Sequence, residues 1–146
     1  MARARESDPV PVFAYSLDVQ GKITGLFQEV TGLGSENDVI EHKSPSSGVV
    51  FKVPGRLKWT DITLKRGITP SMDVWKWRAE VEKGDMKAAR KNGSIFMLDR
   101  DGQPLGQWDF TNGWPSKVTG PSLKSDSNEY GVEEITIVHE AIERVK

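Results

Sequence analysis

Residues 13–20 read Phe-Ala-Tyr-Ser-Leu-Asp-Val-Gln, and this stretch decides the fold class. Phe13, Tyr15, Leu17 and Val19 fall on one parity; Ala14, Ser16, Asp18 and Gln20 fall on the other. A period of two over eight residues marks a β-strand with one apolar and one wet face. Gly21-Lys22 then predicts a turn, and Ile23 to Val30 a return strand, so the chain opens on a hairpin. Gly25 lies inside the second strand, where a glycine marks a bulge or a close approach.

Further on, residues 32–55 carry Gly32, Gly34, Pro45, Gly48, Pro54 and Gly55 among charges at Glu36, Asp38, Glu41, His42 and Lys43. Val39-Ile40 and Val49 to Val53 flank a tip, Ser44-Pro45-Ser46-Ser47-Gly48, and predict a long hairpin over about 34–55 that projects from the body. Its second arm, Val49-Val50-Phe51-Lys52-Val53, is apolar for a projection. Two readings stay open for that arm: contact with a partner, or folding back on its own core. Arg56 to Arg66 predicts one strand whose apolar parity shifts between Trp59 and Ile62, the mark of a bulge near Thr60-Asp61. Gly67 ends it.

One helix is predicted over about 71–83. Ser71 is the candidate N-cap, Asp73 suits the first turn, and Val74, Trp77 and Val81 form a stripe widened by Trp75 and Ala79. Residues 85–90 predict one more turn, ending at Asn92-Gly93. Ile95-Phe96-Met97-Leu98 reads as a strand buried on both sides, Asp99-Arg100-Asp101-Gly102 as a hairpin turn, and Leu105 to Asn112 as its return. Residues 113–124 read as turn-rich, and Glu129 to Glu143 as a last strand with Ile135 and Ile137 on one face. Seven or eight short antiparallel strands with one main helix and no βαβ rhythm predict a mainly β sandwich or barrel.

Composition narrows the function. The 146 residues suit one domain, here 12–146 after a flexible arm at 1–11, and 36% hydrophobic with 28% charged residues place it among soluble globular chains. Cysteine is absent, which excludes disulfides and thiol nucleophiles. A net charge of −1 gives no field for specific nucleic-acid binding. Met1 to Pro11 has two arginines but no apolar core, so no signal peptide is expected, and no stretch suggests a membrane anchor.

Site chemistry is sparse. His42 and His139 have no metal-ligand spacing. Asp99-x-Asp101-Gly102 lacks the later ligands of a calcium loop, Gly32-Leu33-Gly34 lacks the rest of a phosphate loop, and Asn92-Gly93-Ser94 reads as a turn. Glu29, Asp61 and Glu134 are the kind of strand carboxylates a glycosidase uses, but their spacing does not single them out. Catalytic residues, metals and cofactors are therefore all expected to be absent, and the chain is read as no enzyme.

Several segments together resemble a family. They are Gly25-Leu26-Phe27-Gln28-Glu29-Val30-Thr31-Gly32-Leu33, Pro54-Gly55-Arg56, Ile62-Thr63-Leu64-Lys65-Arg66-Gly67 and Trp75-Lys76-Trp77. Trp108-Asp109-Phe110-Thr111-Asn112-Gly113-Trp114-Pro115, Gly120-Pro121, Asn128-Glu129 and Val138-His139-Glu140 complete the set. In this order they resemble the tail tube proteins of contractile phages and of phage-derived extracellular injection systems. Gly113, where relatives often carry Ala, and the projecting hairpin depart from the pattern.

The resemblance implies a β-barrel with a flanking helix, six copies to a ring, and rings stacked into a tube inside a contractile sheath. It implies as partners further copies of the chain, a sheath protein, baseplate hub or tube-initiator proteins, and cargo or DNA in the channel. It implies assembly in the bacterial cytoplasm and a place in a virion tail or a released particle. Within that frame Glu36, Asp38, Val39, Glu41, Lys43, Val49, Val50, Phe51 and Lys52 are the candidate subunit or ring interface. The alternatives are a tube-initiating baseplate ring, a type VI secretion tube, and a monomeric ligand-binding barrel with Trp59, Trp75, Trp77, Trp108 and Trp114 around a pocket.

Overall fold

The opening alternation becomes the first strand of a barrel. The computed structural model describes residues 14–21, 23–67, 71–121 and 131–146, so the arm at 1–11, Phe13, Lys22, Pro70 and the Asn128-Glu129 pair lie outside the described residues. The strands are β1 (Ala14–Val19), β2 (Ile23–Phe27), β3 (Glu29–Thr31), β4 (Ser35–Lys43), β5 (Val50–Trp59), β6 (Ile62–Gly67), β7 (Lys91–Leu98), β8 (Pro104–Thr119), β9 (Val132–Val138) and β10 (Ala141–Arg144). Two helices, α1 (Asp73–Glu82) and α2 (Met86–Ala89), lie between β6 and β7.

Eight strands form an antiparallel sheet in the order β2-β1-β7-β8-β9-β6-β3, with β10 beside β8. Only Gln28 separates β2 from β3, and its N–H donates to the Lys65 carbonyl (2.9 Å). The return strand predicted over 23–30 is therefore one bent strand that supplies both ends of the sheet, which curls back on itself. Inside sit Leu17 and Val19 from β1, Phe27 from β2, Ile62 and Leu64 from β6, Ile95 from β7, Phe110 from β8, and Ile135 and Ile137 from β9. Ser16 and Asp18 take the opposite face of β1, as period two requires.

Several strand boundaries differ from the sequence reading. The stretch 56–66 is not one bulged strand. Its first part belongs to β5, which pairs with β4 in a separate two-stranded sheet; its second is β6, inside the barrel. The parity shift marks that change of sheet. Gly32 explains the sharp exit: its φ is +87°, and the Asp61 carbonyl occupies the space a Cβ would need. The Thr60 N–H, donating to the Gly34 carbonyl (3.2 Å), closes the base of the projecting hairpin.

The second difference is at 113–124, where β8 continues through Gly113 and Pro115 to Thr119 instead of breaking into turns. Asn112 takes φ +50° and a register shift follows between Pro115 and Lys117, so the strand bends without stopping. Its first part pairs β7 and β10, and its second pairs β9. The predicted last strand is likewise two, β9 and β10, broken at His139-Glu140. The two kinks are tied together, the Asn112 amide donating to a Glu140 carboxylate oxygen (2.7 Å).

The third difference is at Asn92-Gly93, which lies within β7 at a register shift and is not a turn. Gly93 and Gly113 leave room for the Phe110 ring, which fills the space of both missing side chains. That accounts for glycine at 113 in this chain. Of the apolar run 95–98, only Ile95 is fully enclosed, while Phe96, Met97 and Leu98 are half-buried, so this strand is not buried on both sides.

The helix cap sits one residue later than predicted. Met72, not Ser71, is the N-cap residue and supplies no side-chain bond. Asp73 is instead engaged by Arg66 and by the Val74 N–H (2.8 Å). Val74 and Trp77 are buried, and Trp77 Nε1 donates to the Ala89 carbonyl (2.6 Å), fastening α1 to α2. Arg78 donates to the Pro115 carbonyl (3.0 Å) and fixes α1 against β8. The turn at Asp99 is as predicted: its carboxylate accepts from the Asp101 and Gln103 N–H groups (2.9 Å each), with Gly102 at φ +77°.

Candidate assembly surface

The nine candidate interface residues all fall on the β4–β5 hairpin or its tip, and all are exposed. Register pairs Glu36 with Lys58, Glu41 with Lys52, Lys43 with Val50, and His42 with Phe51. Alternation from these pairs puts Ile40, His42, Phe51 and Val53 on one face of the outer ribbon. Val39, Glu41, Lys43, Val50 and Lys52 take the other.

Both faces are thus partly apolar, and neither touches the barrel core. Val39 is 62% exposed and Phe51 52%. Most of the exposed large apolar side chains among the described residues lie in this one ribbon. An isolated two-stranded hairpin is at best marginal in water, and exposed apolar strands with free edges attract other strands. Of the two readings of the apolar arm, folding back onto its own core is the one the structure rules out. The candidate interface set left out Ile40, Val53 and Leu57, which are also exposed here; their partners across the ribbon only emerge from the register.

A second feature was not found from the sequence. Arg66 and Glu133 are cross-strand partners, both buried, with Arg66 Nε donating to Glu133 Oε2 (3.1 Å). Arg66 Nη2 donates to Asp73 Oδ1 (3.3 Å), and Trp75 Nε1 to the other Glu133 oxygen (2.9 Å). The guanidinium also lies 5.0 Å over the Phe27 ring and fills the space left by Gly25. Gly25 therefore marks a close approach by a side chain, not a bulge. This cluster bolts α1 to β6 and β9. Its signal in sequence was a charge in phase with apolar residues: Arg66 with Ile62 and Leu64, Glu133 with Ile135 and Ile137.

The residues suspected of chemistry do not converge. Glu29 and Glu134 each face Lys65 from opposite sides, and Asp61 stands apart at the hairpin base. His139 bonds the Thr60 carbonyl (3.0 Å) beside Trp59 and Phe110, whereas His42 is on the ribbon. Among the described residues no group of three or more His, Asp or Glu is placed to hold a metal. The tryptophans point to different places: Trp75 bonds Glu133, Trp108 lies under Arg144, and Trp77 lines a cleft of about 370 Å³ beside α1. No helix of the described residues is long and apolar enough to cross a membrane.

A barrel that keeps a large apolar ribbon outside its own core presents a surface suited to contact with other chains, the mark of a structural subunit. A family model described as T4-like virus tail tube protein gp19 matches residues 11–143, and the chain belongs to that family of tail tube proteins. Among solved structures it is similar to a chain of the sheath–tube complex of the extracellular contractile injection system PVC in its extended state. That match has TM-score 0.81 and 28% identity, over 95% of this chain and 93% of the other. A chain from the sheath/tube terminator of the same system gives TM-score 0.80 and 28% identity over 97% and 100%. Hcp1 from Flavobacterium johnsoniae shares the fold at TM-score 0.55 and 22% identity, over 91% and 95%. No curated protein sequence matches the chain.

Proposed function

We propose that copies of this chain close into hexameric rings that stack as the inner tube of a phage-type contractile injection particle. In this reading the β4–β5 ribbon makes the contact between copies, and the work is assembly, not catalysis. The observation that carries it is the ribbon itself: apolar on both faces and, among the described residues, unpaired at both edges. A ring needs head-to-tail surfaces that close, and a projecting ribbon reaches a neighbour where a compact barrel would only touch it.

Similarity to chains from sheath–tube and tube-terminator assemblies supports a sheath protein and end-ring or baseplate proteins as further partners. Cargo in the channel and export as part of a released particle follow from the same reading. The near-equal likeness to a terminator chain favours one other position, an end ring of the same tube.

The test replaces Val50 and Phe51 with Asp. Both side chains are exposed, so the barrel is expected to fold with unchanged circular dichroism. Sedimentation should then show a monomer where the parent forms rings or tubes. Normal tubes from the double variant would remove the ribbon from the interface.

A further inference from the structure

The ribbon is joined to the barrel by two short segments, residues 32–34 and 60–61. Leu33 packs the first against the core. The second is held through Thr60. Its N–H donates to the Gly34 carbonyl (3.2 Å), on the ribbon side. Its carbonyl meets His139 Nε2 (3.0 Å), on the barrel side. A carbonyl oxygen only accepts, so Nε2 carries the proton. The β6–β9 ladder ends at the Ile62–Ile137 pair, and the same register sets Thr60 opposite His139. Where the backbone ladder stops, a side chain makes the next cross-strand bond. The imidazole lies between Trp59, the last residue of β5, and Phe110 of the core, with ring centroids 6.2 and 6.4 Å away. Its other nitrogen, Nδ1, is enclosed and has no partner among the described residues. An enclosed nitrogen without a partner is a cost. The bond to Thr60 is what the imidazole contributes in return. His139 is itself braced by its neighbour: the Glu140 N–H donates to the Thr111 carbonyl (3.0 Å), and the Glu140 carboxylate accepts from Asn112 (2.7 Å).

We propose that His139 is the positioning residue of the ribbon: by holding Thr60 it fixes the direction in which β4 and β5 leave the barrel, and so keeps the subunit ready to assemble. This rests on the ribbon-contact reading above and names what sets the geometry of that contact. A two-stranded ribbon that shares no core with its barrel swings about its tethers unless a further bond holds it. Only copies whose ribbon points the right way can join a ring, and the apparent affinity falls by the fraction that do. A direction fixed beforehand avoids that loss and the ordering cost on contact. The imidazole is placed for this task. It reaches from the break between β9 and β10 to the root of the ribbon, with one ring of the ribbon and one of the core on either side.

Three variants of the full chain test this. His139→Leu removes the donor and keeps an apolar body between Trp59 and Phe110. His139→Asn keeps an amide that ends short of Thr60. His139→Gln puts an amide N–H where Nε2 stands. The Leu and Asn chains should keep the circular dichroism and the urea midpoint of the parent. Their Thr60 amide should lose its protection from hydrogen exchange in dissociated subunits. The concentration at which half the chain is in rings should rise roughly three- to tenfold, the weight of one hydrogen bond. The Gln chain should restore both. Exchange and assembly at parental levels in the Leu and Asn chains would overturn the proposal. So would a Gln chain no better than those two, or unfolding of both, which would make His139 a residue of the core. A parent that makes no rings would defeat the tube reading, a separate result, and exchange at Thr60 would then decide for or against His139 by itself.

Discussion

At the scale of the residue, Arg66 is the most constrained side chain in the barrel. Its guanidinium is enclosed between Glu133, Asp73 and the Phe27 ring, so removing one partner strands a charge away from water. Breaking a buried pair from one side costs about 3–5 kcal/mol. Glu133→Ala is expected near the lower end of that range, because Asp73 stays beside the guanidinium, and it also removes the acceptor of Trp75 Nε1. Urea unfolding followed by tryptophan fluorescence measures it; a shift below about 0.5 kcal/mol, the range of ordinary surface changes, would contradict the structural role given to the pair. Each strand, taken alone, shows a charge in phase with its core residues. What the sequence does not show is that these two positions are opposite one another, because register between strands nearly seventy residues apart depends on the whole sheet. Gly113 is similar: glycine is visible in the sequence, but the Phe110 ring that requires it is three residues back and reaches it only through the kink at Asn112.

At the scale of the element, the ribbon and the barrel are two kinds of structure in one chain. Barrel strands share a core that includes Leu64, Phe110 and Ile137; the ribbon has only its own cross-strand pairs. Its amides are therefore expected to open locally, at much lower cost than those of β1, β7 or β9. Hydrogen exchange on dissociated subunits should show fast exchange across 35–43 and 50–59, and marked slowing there on assembly while the barrel barely changes. No slowing in the ribbon would place the contact elsewhere. Period two was enough to read β1 and the inward face of β9 from sequence. It failed where an element changes sheet, at Thr60-Asp61, and where local composition argued for a turn inside a strand, at Gly113 and Pro115. Glycine and proline are usually punctuation; here they bend β8 so that it can pair three other strands.

At the scale of the whole molecule, the exposed apolar ribbon and the family of the chain point the same way. Most of the described segments that resemble tail tube proteins lie in the barrel and α1, with Pro54-Gly55-Arg56 in β5, and the family match spans residues 11–143. The ribbon is where the chain departs from the pattern. The measurement that bears most directly on the central claim is electron cryo-microscopy of the purified full chain at high concentration. Six-fold rings stacked into hollow tubes, with the β4–β5 ribbon buried between copies, are the expected result. A population of single subunits with that ribbon still in water would contradict it.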